Sequence, residues 1–536
     1  MSTSVANVPG VPRPGGPATA DGRSWRTIAI EHIDLVCVAI FALVYIATRL
    51  AVLWRFPPYF DETFYAHEAP IALHQPGQRF ISLIDDKGPL LIWLSFIPQK
   101  LGFAPLTSVR LVAQAAGLWT MVMVGLTTRL IAGRAAAAVA MGLFVVTPLW
   151  LVFTAIGFDE PLVAAAATSA LYLQLRLADR PNLRDATLLG LALGAGLLTK
   201  ESGKLAVILL PVSLLLVSWE RPWIKRLATW VGCAALALVI GYALYSVERL
   251  SPLYYELGEI RRSLGQYTPV STALSHIGSI YQQNWPGYRV ELDHYLTPTL
   301  ILAFAVGAGV LLARRTRMAL VLLAWTVIPL ASVVFIASRP LGHYLVPAVT
   351  PAFPVMAVGL LETYGFLSRR SGRTRWPAVV VAVVAVVPSL WFDVQFIAKP
   401  ATTKLPAYDD RELITDAAAG GGWKQISEVI RQRTVGAHGP VTIAYSGIIT
   451  FAVSLLLGDP EQIRYPYVSI ASPAATAASF VTATGALPPA CTATPPPNDI
   501  AFPPCSMIPP SRLRRLTSYQ RPRGGVVVTL YAVSPP

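Results

Sequence analysis

Charged residues and cysteines are both scarce in this chain of 536 residues. Asp, Glu, Lys and Arg make up 13% of it, whereas hydrophobic residues make up 54%. Soluble domains have roughly 25% charged residues, so this composition excludes an ordinary cytosolic enzyme, a fibrous repeat and a disordered chain. The four cysteines include no CxxC pair, which excludes a disulfide scaffold and gives no sign of a zinc or redox motif. The composition predicts a protein that lies mostly in lipid.

The net charge of +14 does not indicate a nucleic-acid partner. The 43 Lys and Arg residues fall between apolar runs rather than in one patch. A protein that crosses the membrane many times carries its positive charge in this way. We therefore expect membrane lipids, and no nucleic acid, among its partners.

Eleven apolar segments are long enough to be candidate membrane spans. The fifth and sixth are short, so a hairpin that crosses only part of the bilayer stays open as an alternative. The segments are 33–54, 108–131, 135–156, 161–178, 185–199, 204–219, 227–247, 297–313, 318–337, 344–366 and 376–397.

Arginine clusters occur in every second loop between these segments. Cytoplasmic loops of membrane proteins are enriched in Lys and Arg, so the alternation predicts a multi-pass protein of the plasma (inner) membrane with a cytoplasmic N-terminus. The clusters are Arg129 and Arg134; Arg176, Arg180 and Arg184; Arg221, Lys225 and Arg226; Arg314, Arg315 and Arg317; and Arg369, Arg370, Arg373 and Arg375.

Three regions follow from this topology. Residues 1–30, with four prolines in the first 26 positions, are predicted to form a disordered basic cytoplasmic tail. Residues 31–397 form the transmembrane domain. Residues 398–536 contain strand-like runs and are predicted to form a small extracytoplasmic α/β domain. Cys491 and Cys505 both lie in that domain, on the oxidising side of the membrane, where a disulfide between them can form. The predicted fold class is mainly α: a polytopic helical membrane protein of about 11 helices with this C-terminal domain.

Two acidic turns lie on the predicted outer side. The first outer loop, 55–107, begins with Asp61 and Glu62 among aromatic residues, and Asp159 follows Phe158 at the start of the fourth span. Such acids are often solvated loop residues. At a membrane boundary, however, desolvation raises the pKa of a carboxyl group toward values that suit a general base. The candidate catalytic residues are Asp61, Asp159 and Glu62. We expect Asp61 and Asp159 to converge on one cavity, and Glu62 to matter least if it faces water.

Basic residues occur at the same level. Lys87 lies within the first outer loop, where an amphipathic segment begins, Lys200 lies in the turn between the fifth and sixth spans, and Arg339, His343 and Tyr344 lie in the turn before the tenth. Lysines at helix ends often only extend toward the headgroups. Three cationic turns beside two acidic ones instead favour a site for a phosphate held at headgroup depth.

Five segments resemble the GT-C membrane glycosyltransferases, in the branch of the protein O-mannosyltransferases and the lipid A aminoarabinose transferase. They occur in the same order as in that family, and the likeness covers residues 30–365. They are FDETFYAHEA, DDKGPLLIWL, GFDEPLVAAAATSALYLQLR, GLALGAGLLTKES and RPLGHYLVPAVTPAFPVMA.

The resemblance implies transfer of a sugar from a polyprenyl-phosphate carrier to a lipid, glycan or protein acceptor on the outer face. Asp61 matches the catalytic acid of the first loop, and Asp159 matches the second acidic position. Lys87 and Lys200 would contact the carrier phosphate. Since a phosphate can leave without a general acid once cations neutralise it, the expected reaction is an inverting displacement with Asp61 as the base.

The chain departs from the family pattern in two places. Gly88 replaces the first Pro of a Lys-Pro-Pro stretch, and His343 stands where an Arg or Lys often precedes Tyr344. The resemblance leaves the cation near Tyr344 open, with Arg339 as a candidate.

A divalent metal stays open as a cofactor, because His67, Glu68 and His74 are close in sequence. They do not form an HExxH motif, and histidines that face headgroups are the favoured interpretation. The alternative function is a membrane lipid or sugar transporter or flippase, although the sequence lacks the internal repeat that many transporters have. A third interpretation is a scaffold that presents the C-terminal region.

Overall fold

The computed structural model describes residues 33–218, 220, 222–264, 268, 270–370, 376–416, 418–434, 441–446, 463–464, 478–484 and 508–534. Several sequence predictions lie outside the described residues. These are the basic tail of residues 1–30, the cysteines Cys491 and Cys505, and the arginines Arg221, Arg373 and Arg375.

Helices form the larger part of the described chain, and each of the eleven predicted spans coincides with helical structure. Their bounds are α1 Ile33–Leu53, α2 Phe60–His74, α3 Leu90–Lys100, α4 Pro105–Val146, α5 Pro148–Thr154, α6 Glu160–Asp179, α7 Leu183–Thr199, α8 Lys204–Ile208, α9 Trp223–Tyr245, α10 Leu253–Leu264, α11 Val270–Ser275, α12 Ile277–Tyr295, α13 Thr297–Arg314, α14 Thr316–Ile336, α15 Leu345–Val349, α16 Phe353–Arg370, α17 Trp376–Ala398, α18 Ala407–Asp410 and α19 Trp423–Thr434.

Within the described residues, 8 helices are long and apolar enough to cross a membrane. The difference from eleven has a structural reason. Helix α4 has 42 residues and contains the second predicted span and the first part of the third, which continues into α5. The two spans are separated by a break at Gly133, whose φ of 84° favours glycine. The fifth span, α7, has 17 residues. The sixth is divided between α8 and a 3₁₀ helix, Leu210–Leu216.

The C-terminal region forms a five-stranded sheet in the order β2-β1-β3-β5-β4. Strands β1, β2 and β3 are parallel, whereas β5 pairs antiparallel with both β3 and β4. The bounds are β1 Val441–Ser446, β2 Ile463–Arg464, β3 Phe480–Thr484, β4 Leu513–Gln520 and β5 Val527–Val533. Helix α19 contributes Trp423, Ile426 and Ile430 to the core of this unit, as the α/β prediction requires.

The chain after the last long helix packs against the start of the loop that follows α1. Tyr59 forms an isolated bridge with Ala419, and the amide of Phe60 donates to the carbonyl of Ala418 at 3.2 Å. Gly420 is needed there because a Cβ would lie 1.7 Å from the carbonyl oxygen of Pro58. The loop that carries Asp61 is therefore held by the C-terminal part of the chain.

Candidate functional site

The predicted polar turns all lie at one end of the helix bundle. Asp61 follows α1, Asp159 directly precedes α6, Lys200 directly follows α7, and His343 precedes α15. Since α6 and α7 run antiparallel with a short connection, the start of one and the end of the other lie on the same side. The chain order thus brings Asp159 beside Lys200.

Lys200 forms the centre of a buried ion cluster. Its Nζ lies 3.1 Å from Asp159 Oδ1 and also forms a close ion pair with Glu160 Oε1. All three side chains are at least 95% buried. A buried lysine requires such partners, because an unpaired charge in a low-dielectric interior is costly. The sequence predicted roles for Asp159 and Lys200 but assigned none to Glu160.

Three buried oxygen atoms of this cluster have no hydrogen-bond partner in the described part of the chain. They belong to Tyr65, Asp159 and Glu160: the Tyr65 hydroxyl, Asp159 Oδ2 and Glu160 Oε2. Burial, together with the charge of Glu160, raises the pKa of Asp159. The cluster therefore contains unused hydrogen-bonding capacity.

His343 and Tyr344 close one side of the cluster. The imidazole of His343 stacks on Phe158 with 4.7 Å between the ring centroids, and its Nε2 lies 3.7 Å from Glu160 Oε1. The Tyr344 ring lies 5.3 Å from the Nζ of Lys200, in a cation–π arrangement. Both residues therefore orient the charged groups of the cluster.

Asp61 lies beside this cluster and is partly exposed. In the described residues its carboxylate takes part in no hydrogen bond or ion pair. Burial raises its pKa, while the positive charges of Lys87 and then Lys200 lower it. A partly exposed carboxyl group with a raised pKa, near two cations, has the properties of a general base.

Glu62, the residue after Asp61, is buried and stabilises the structure through its contacts. Its side chain is 0% exposed, which contradicts the expectation that it might face water. It pairs with Arg110, whose Nε lies 2.9 Å from Oε2, and it accepts hydrogen bonds from the amides of Tyr59 and Gly157 at 2.8 Å. Because Gly157 begins the second acidic turn, Glu62 fixes the two acidic turns to each other.

The loop of Lys87 packs directly on the end of α7. The amide of Gly88 donates to the carbonyl of Thr199 at 3.2 Å. A Cβ at position 88 would lie 2.1 Å from the carbonyl oxygen of Leu198, so only glycine fits. The departure from the Lys-Pro-Pro pattern thus has a reason, because Gly88 allows the loop to lie against the residue before Lys200.

A cavity of about 450 Å³ opens beside Lys200, and we call it the donor cavity. One end is charged, with Lys200, Lys204 and Arg261 facing Asp86, Glu160 and Glu201. Arg261 on α10 donates from Nε to Asp86 Oδ1 at 2.7 Å and pairs with Glu201. The sequence analysis assigned no role to Arg261 or Lys204. Lys204 was visible in the same turn as Lys200, but the position of α10 was not.

The other end of the donor cavity is apolar. Its walls are Leu205 and Ile208 of α8, Val333 and Ile336 of α14, and Pro347 of α15. Ile208 is 62% exposed on the outer surface of the bundle. The cavity therefore joins a charged inner end to an apolar surface of a membrane-spanning bundle.

Arg339 is not part of this cluster. It is an exposed side chain that pairs with Glu412 at 3.6 Å and lines a second cavity of about 270 Å³. The interpretation of Arg339 as the cation near Tyr344 is therefore not supported by its position, because Lys200 occupies that place.

No three His, Cys, Asp or Glu side chains in the described ranges approach closely enough to hold a metal ion. Glu68 is buried on α2, and burial followed by the charge of Asp85 raises its pKa well above the usual range. His74 is exposed at the end of α2, and His67 is half-buried one residue before Glu68. The structure does not bring these three residues together.

Comparison with known proteins gives a partial family match and a fold. The family model for dolichyl-phosphate-mannose-protein mannosyltransferase matches residues 86–245. That range includes Lys87, Asp159 and Lys200. No curated protein sequence matches the chain.

Solved structures of two proteins, ArnT and AglB, superpose on most of the chain. ArnT from Cupriavidus metallidurans in the apo state matches with a TM-score of 0.56 and 14% identity over 94% of this chain and 98% of that chain. The same protein bound to undecaprenyl phosphate matches with a TM-score of 0.50 and 16% identity over 92% of this chain and 97% of that chain. The third structure is AglB, an oligosaccharyltransferase from Archaeoglobus fulgidus in complex with an inhibitory peptide and a dolichol-phosphate. It matches with a TM-score of 0.54 and 12% identity over 86% of this chain and 70% of that chain.

At these identities the superpositions show the fold. The predicted resemblance and fold class are confirmed: the chain is a multi-pass helical membrane protein of GT-C type with a small C-terminal sheet. The family match and the fold together support the predicted glycosyltransferase function.

Proposed function

We propose that this chain, which has the GT-C fold, is a membrane glycosyltransferase that moves a sugar from a polyprenyl-phosphate carrier to an acceptor hydroxyl. The observation that carries the proposal is the donor cavity, which joins a buried lysine to an apolar surface. A polyprenyl phosphate has the complementary construction, an anionic head on a long hydrocarbon chain. ArnT was solved with undecaprenyl phosphate, and its likeness to this chain supports the same class of carrier here.

The charged end of the donor cavity suits the carrier phosphate. Lys200, Lys204 and Arg261 are balanced there by Glu160, Asp86 and Glu201. A phosphate that enters this end takes over cationic contacts that the carboxylates now hold, and Lys87 adds a further positive charge nearby. Charge-assisted hydrogen bonds to phosphate are the strong kind, and the apolar end gains by burying hydrocarbon.

The reaction follows from the positions of these charges. The acceptor oxygen forms a bond to the anomeric carbon while the bond from that carbon to the phosphate oxygen breaks. The electron pair leaves with the polyprenyl phosphate, and Lys87 and Lys200 stabilise its added negative charge. The acceptor proton passes to Asp61. A single displacement of this kind inverts the anomeric centre.

Asp159 and Glu160 have a different role from Asp61. Their carboxylates hold Lys200, and their unpaired oxygens, with the Tyr65 hydroxyl, can accept or donate hydrogen bonds to sugar hydroxyls. Both lie at the N-terminus of α6, where the helix dipole favours negative charge. We assign Asp159 to orientation of Lys200 and the donor sugar.

The site faces the outer side in this proposal. Residues 1–30 would be cytoplasmic, residues 31–397 would form the transmembrane domain, and residues 398–536 would be extracytoplasmic, with the plasma (inner) membrane as the location. A reporter fused after residue 397 should be active outside, and one fused after Arg373 inside. An inside result after residue 397 would place every residue of the site on the wrong face.

The test of the function is release of free undecaprenyl phosphate from carrier-linked mannose, glucose and arabinose, each labelled in the sugar. Wild type should release it from at least one donor, and Lys87→Ala should raise the donor KM at least tenfold, because a charged hydrogen bond contributes about 1.5–3 kcal/mol. Lys100→Ala, at an exposed lysine of the same loop, is the control. If the chain moves carrier lipid across vesicles without sugar release, it is a transporter.

A further inference from the structure

The second cavity, of about 270 Å³, lies between three segments near Asp61; we call it the Arg339 cavity. Helix α12 contributes Gln283 and Asn284, the turn before His343 contributes Arg339, and the segment after α17 contributes Tyr408 and Glu412. The family match ends at residue 245 and does not reach it, and of the predicted motifs only the one that begins at Arg339 contributes to its lining.

Asn284 makes the Arg339 cavity a polar site with a defined orientation. Its side chain is 97% buried. The amide nitrogen donates to the carbonyls of Val334 and Ala337, both at 2.9 Å, so both N–H groups are used. The orientation of the amide is thereby fixed, and Oδ1, buried and without a hydrogen-bond partner in the described residues, is left to accept one. A buried acceptor without a partner is costly to the protein unless a ligand or water satisfies it.

Glu412 joins this cavity to the proposed base. It pairs with Arg339, and it accepts a long hydrogen bond of 3.5 Å from the hydroxyl of Tyr59, two residues before Asp61. Burial raises the pKa of Glu412, and the negative charge of Asp61 raises it further. The cavity therefore lies within the electrostatic reach of Asp61, whereas the donor cavity is lined by Lys200 and Glu160.

We infer that the Arg339 cavity binds a carbohydrate group of the acceptor, an inference that rests on the proposed function and names its acceptor class. A sugar ring presents many hydroxyls, each of which can donate and accept. The cavity offers both kinds of partner, with Arg339 as a donor, Glu412 as an acceptor and the amide of Gln283 as either. Tyr408 provides an aromatic face.

The size and lining of the cavity favour this class over a peptide. Its volume is slightly below the roughly 300–1,000 Å³ of pockets for drug-sized ligands, which suits one sugar-sized group. Its lining includes no aliphatic side chain other than Pro340, so it offers no pocket for the apolar side chains or alkyl chains of a peptide or lipid. The sugar can belong to a free glycan or to a glycolipid, which share this chemistry.

The test compares four acceptors with the full-length protein in detergent. They are a trisaccharide, the same trisaccharide on an alkyl chain, a Ser/Thr peptide, and a long-chain alcohol without sugar. We expect transfer to one or both sugar acceptors, with Arg339→Gln raising the acceptor KM at least tenfold and Gln283→Ala raising it severalfold, while the donor KM stays constant. Arg289→Gln, at an exposed arginine of the same helix, should behave like wild type.

Transfer to the peptide or the alcohol alone would contradict the inference that the acceptor is a carbohydrate. An unchanged KM for the sugar acceptor in both variants would contradict the inference that the Arg339 cavity binds it. A second measurement does not depend on turnover. Ser338→Cys, at the exposed rim, should react with a maleimide, and the trisaccharide at millimolar concentration should slow that reaction while the peptide does not. Labelling of the wild-type chain gives the background. Protection without any sugar release would support carbohydrate binding in the Arg339 cavity and contradict the proposed transfer reaction. A lack of protection would contradict carbohydrate binding in this cavity.

Discussion

Asp409 accepts a hydrogen bond from the backbone amide of Gly342 at 3.0 Å, and its second oxygen accepts one of 2.6 Å from the Tyr295 hydroxyl. Asp409 follows the last long helix, whereas Gly342 directly precedes His343, which stacks on Phe158 at the ion cluster. The segment after the membrane domain is thus attached to the turn that closes the site. A Cβ at Gly342 would lie 2.1 Å from Asp409 Oδ2, so a side chain there would displace this carboxylate.

Gly342→Ala should therefore displace the turn that carries His343 and Tyr344. We expect a donor KM at least fivefold higher with a smaller change in kcat, because Tyr344 orients Lys200 without touching the reacting atoms. Gly309→Ala, at a glycine with open space around it, is the matched control. A lower kcat at constant donor KM would contradict this positioning role.

Gly88→Ala should weaken carrier binding for a separate reason. The new methyl group would meet the backbone of Leu198, so the loop must move and carry Lys87 away from the site. Undecaprenyl phosphate binding to purified protein, measured by calorimetry, should fall about tenfold, as for loss of one charged contact. Gly77→Ala in the same loop region meets nothing within 4 Å and should bind like wild type. A wild-type affinity of Gly88→Ala for undecaprenyl phosphate would show that this loop does not contribute to the phosphate site.

Glu62→Gln should act on stability. It would leave the buried guanidinium of Arg110 without its carboxylate, a change that costs about 3–5 kcal/mol for a broken buried pair. We expect a clearly lower melting temperature in detergent, whereas Glu256→Gln at an exposed position of α10 should have almost no effect. A Glu62→Gln protein with wild-type stability and no activity would instead indicate a direct catalytic role.

The pH dependence of stability should reveal Glu291. Burial, and next the charge of Asp409, raises the pKa of Glu291 from 4.5 to about 10. Because the folded pKa is the higher one, this contribution is complete below about pH 4.5 and is lost as the pH rises toward 10. The loss can reach about 1.4 kcal/mol per pH unit. Burial likewise raises the pKa of Asp409 to about 6, which adds a loss of the same sign up to that pH.

Glu291→Gln should remove most of this dependence, since the amide stays neutral. The melting temperature of wild type should fall more steeply between pH 5 and pH 9 than that of the variant. Parallel curves for the two proteins would show that Glu291 is not held neutral.

The spans and the outer residues of the site could be predicted because their signals are local. Each apolar run became helical, and the acidic and basic turns met at one end of the bundle because each adjoins a helix end. The role of Glu62 was missed because Arg110 lies 48 residues away and no local pattern pairs them. Arg261 and Asp409 were missed for the same reason, since both reach the site through the packing of distant segments.

Arg339 was a candidate for the cation near Tyr344. Its guanidinium pairs with Glu412, whereas the ring of Tyr344 lies beside the Nζ of Lys200, and no local sequence signal distinguishes these two arrangements. Gly88 was described from the sequence as a departure from the Lys-Pro-Pro pattern, but the packing of the loop requires glycine at this position. The close approach of Leu198, which excludes a side chain, is visible only in three dimensions.

The central claim is that Asp61 removes the acceptor proton. Asp61→Asn keeps the shape and hydrogen-bonding capacity of the side chain but removes the base, so turnover should fall by about 10²–10⁴. Undecaprenyl phosphate binding should survive or tighten slightly, because a negative charge near the phosphate is removed. The direct measurement is release of undecaprenyl phosphate from the labelled donor by wild type and Asp61→Asn, with melting temperature and carrier affinity recorded for both. The account predicts a loss of at least a hundredfold in release with unchanged stability and binding, and equal release by the two proteins would contradict it.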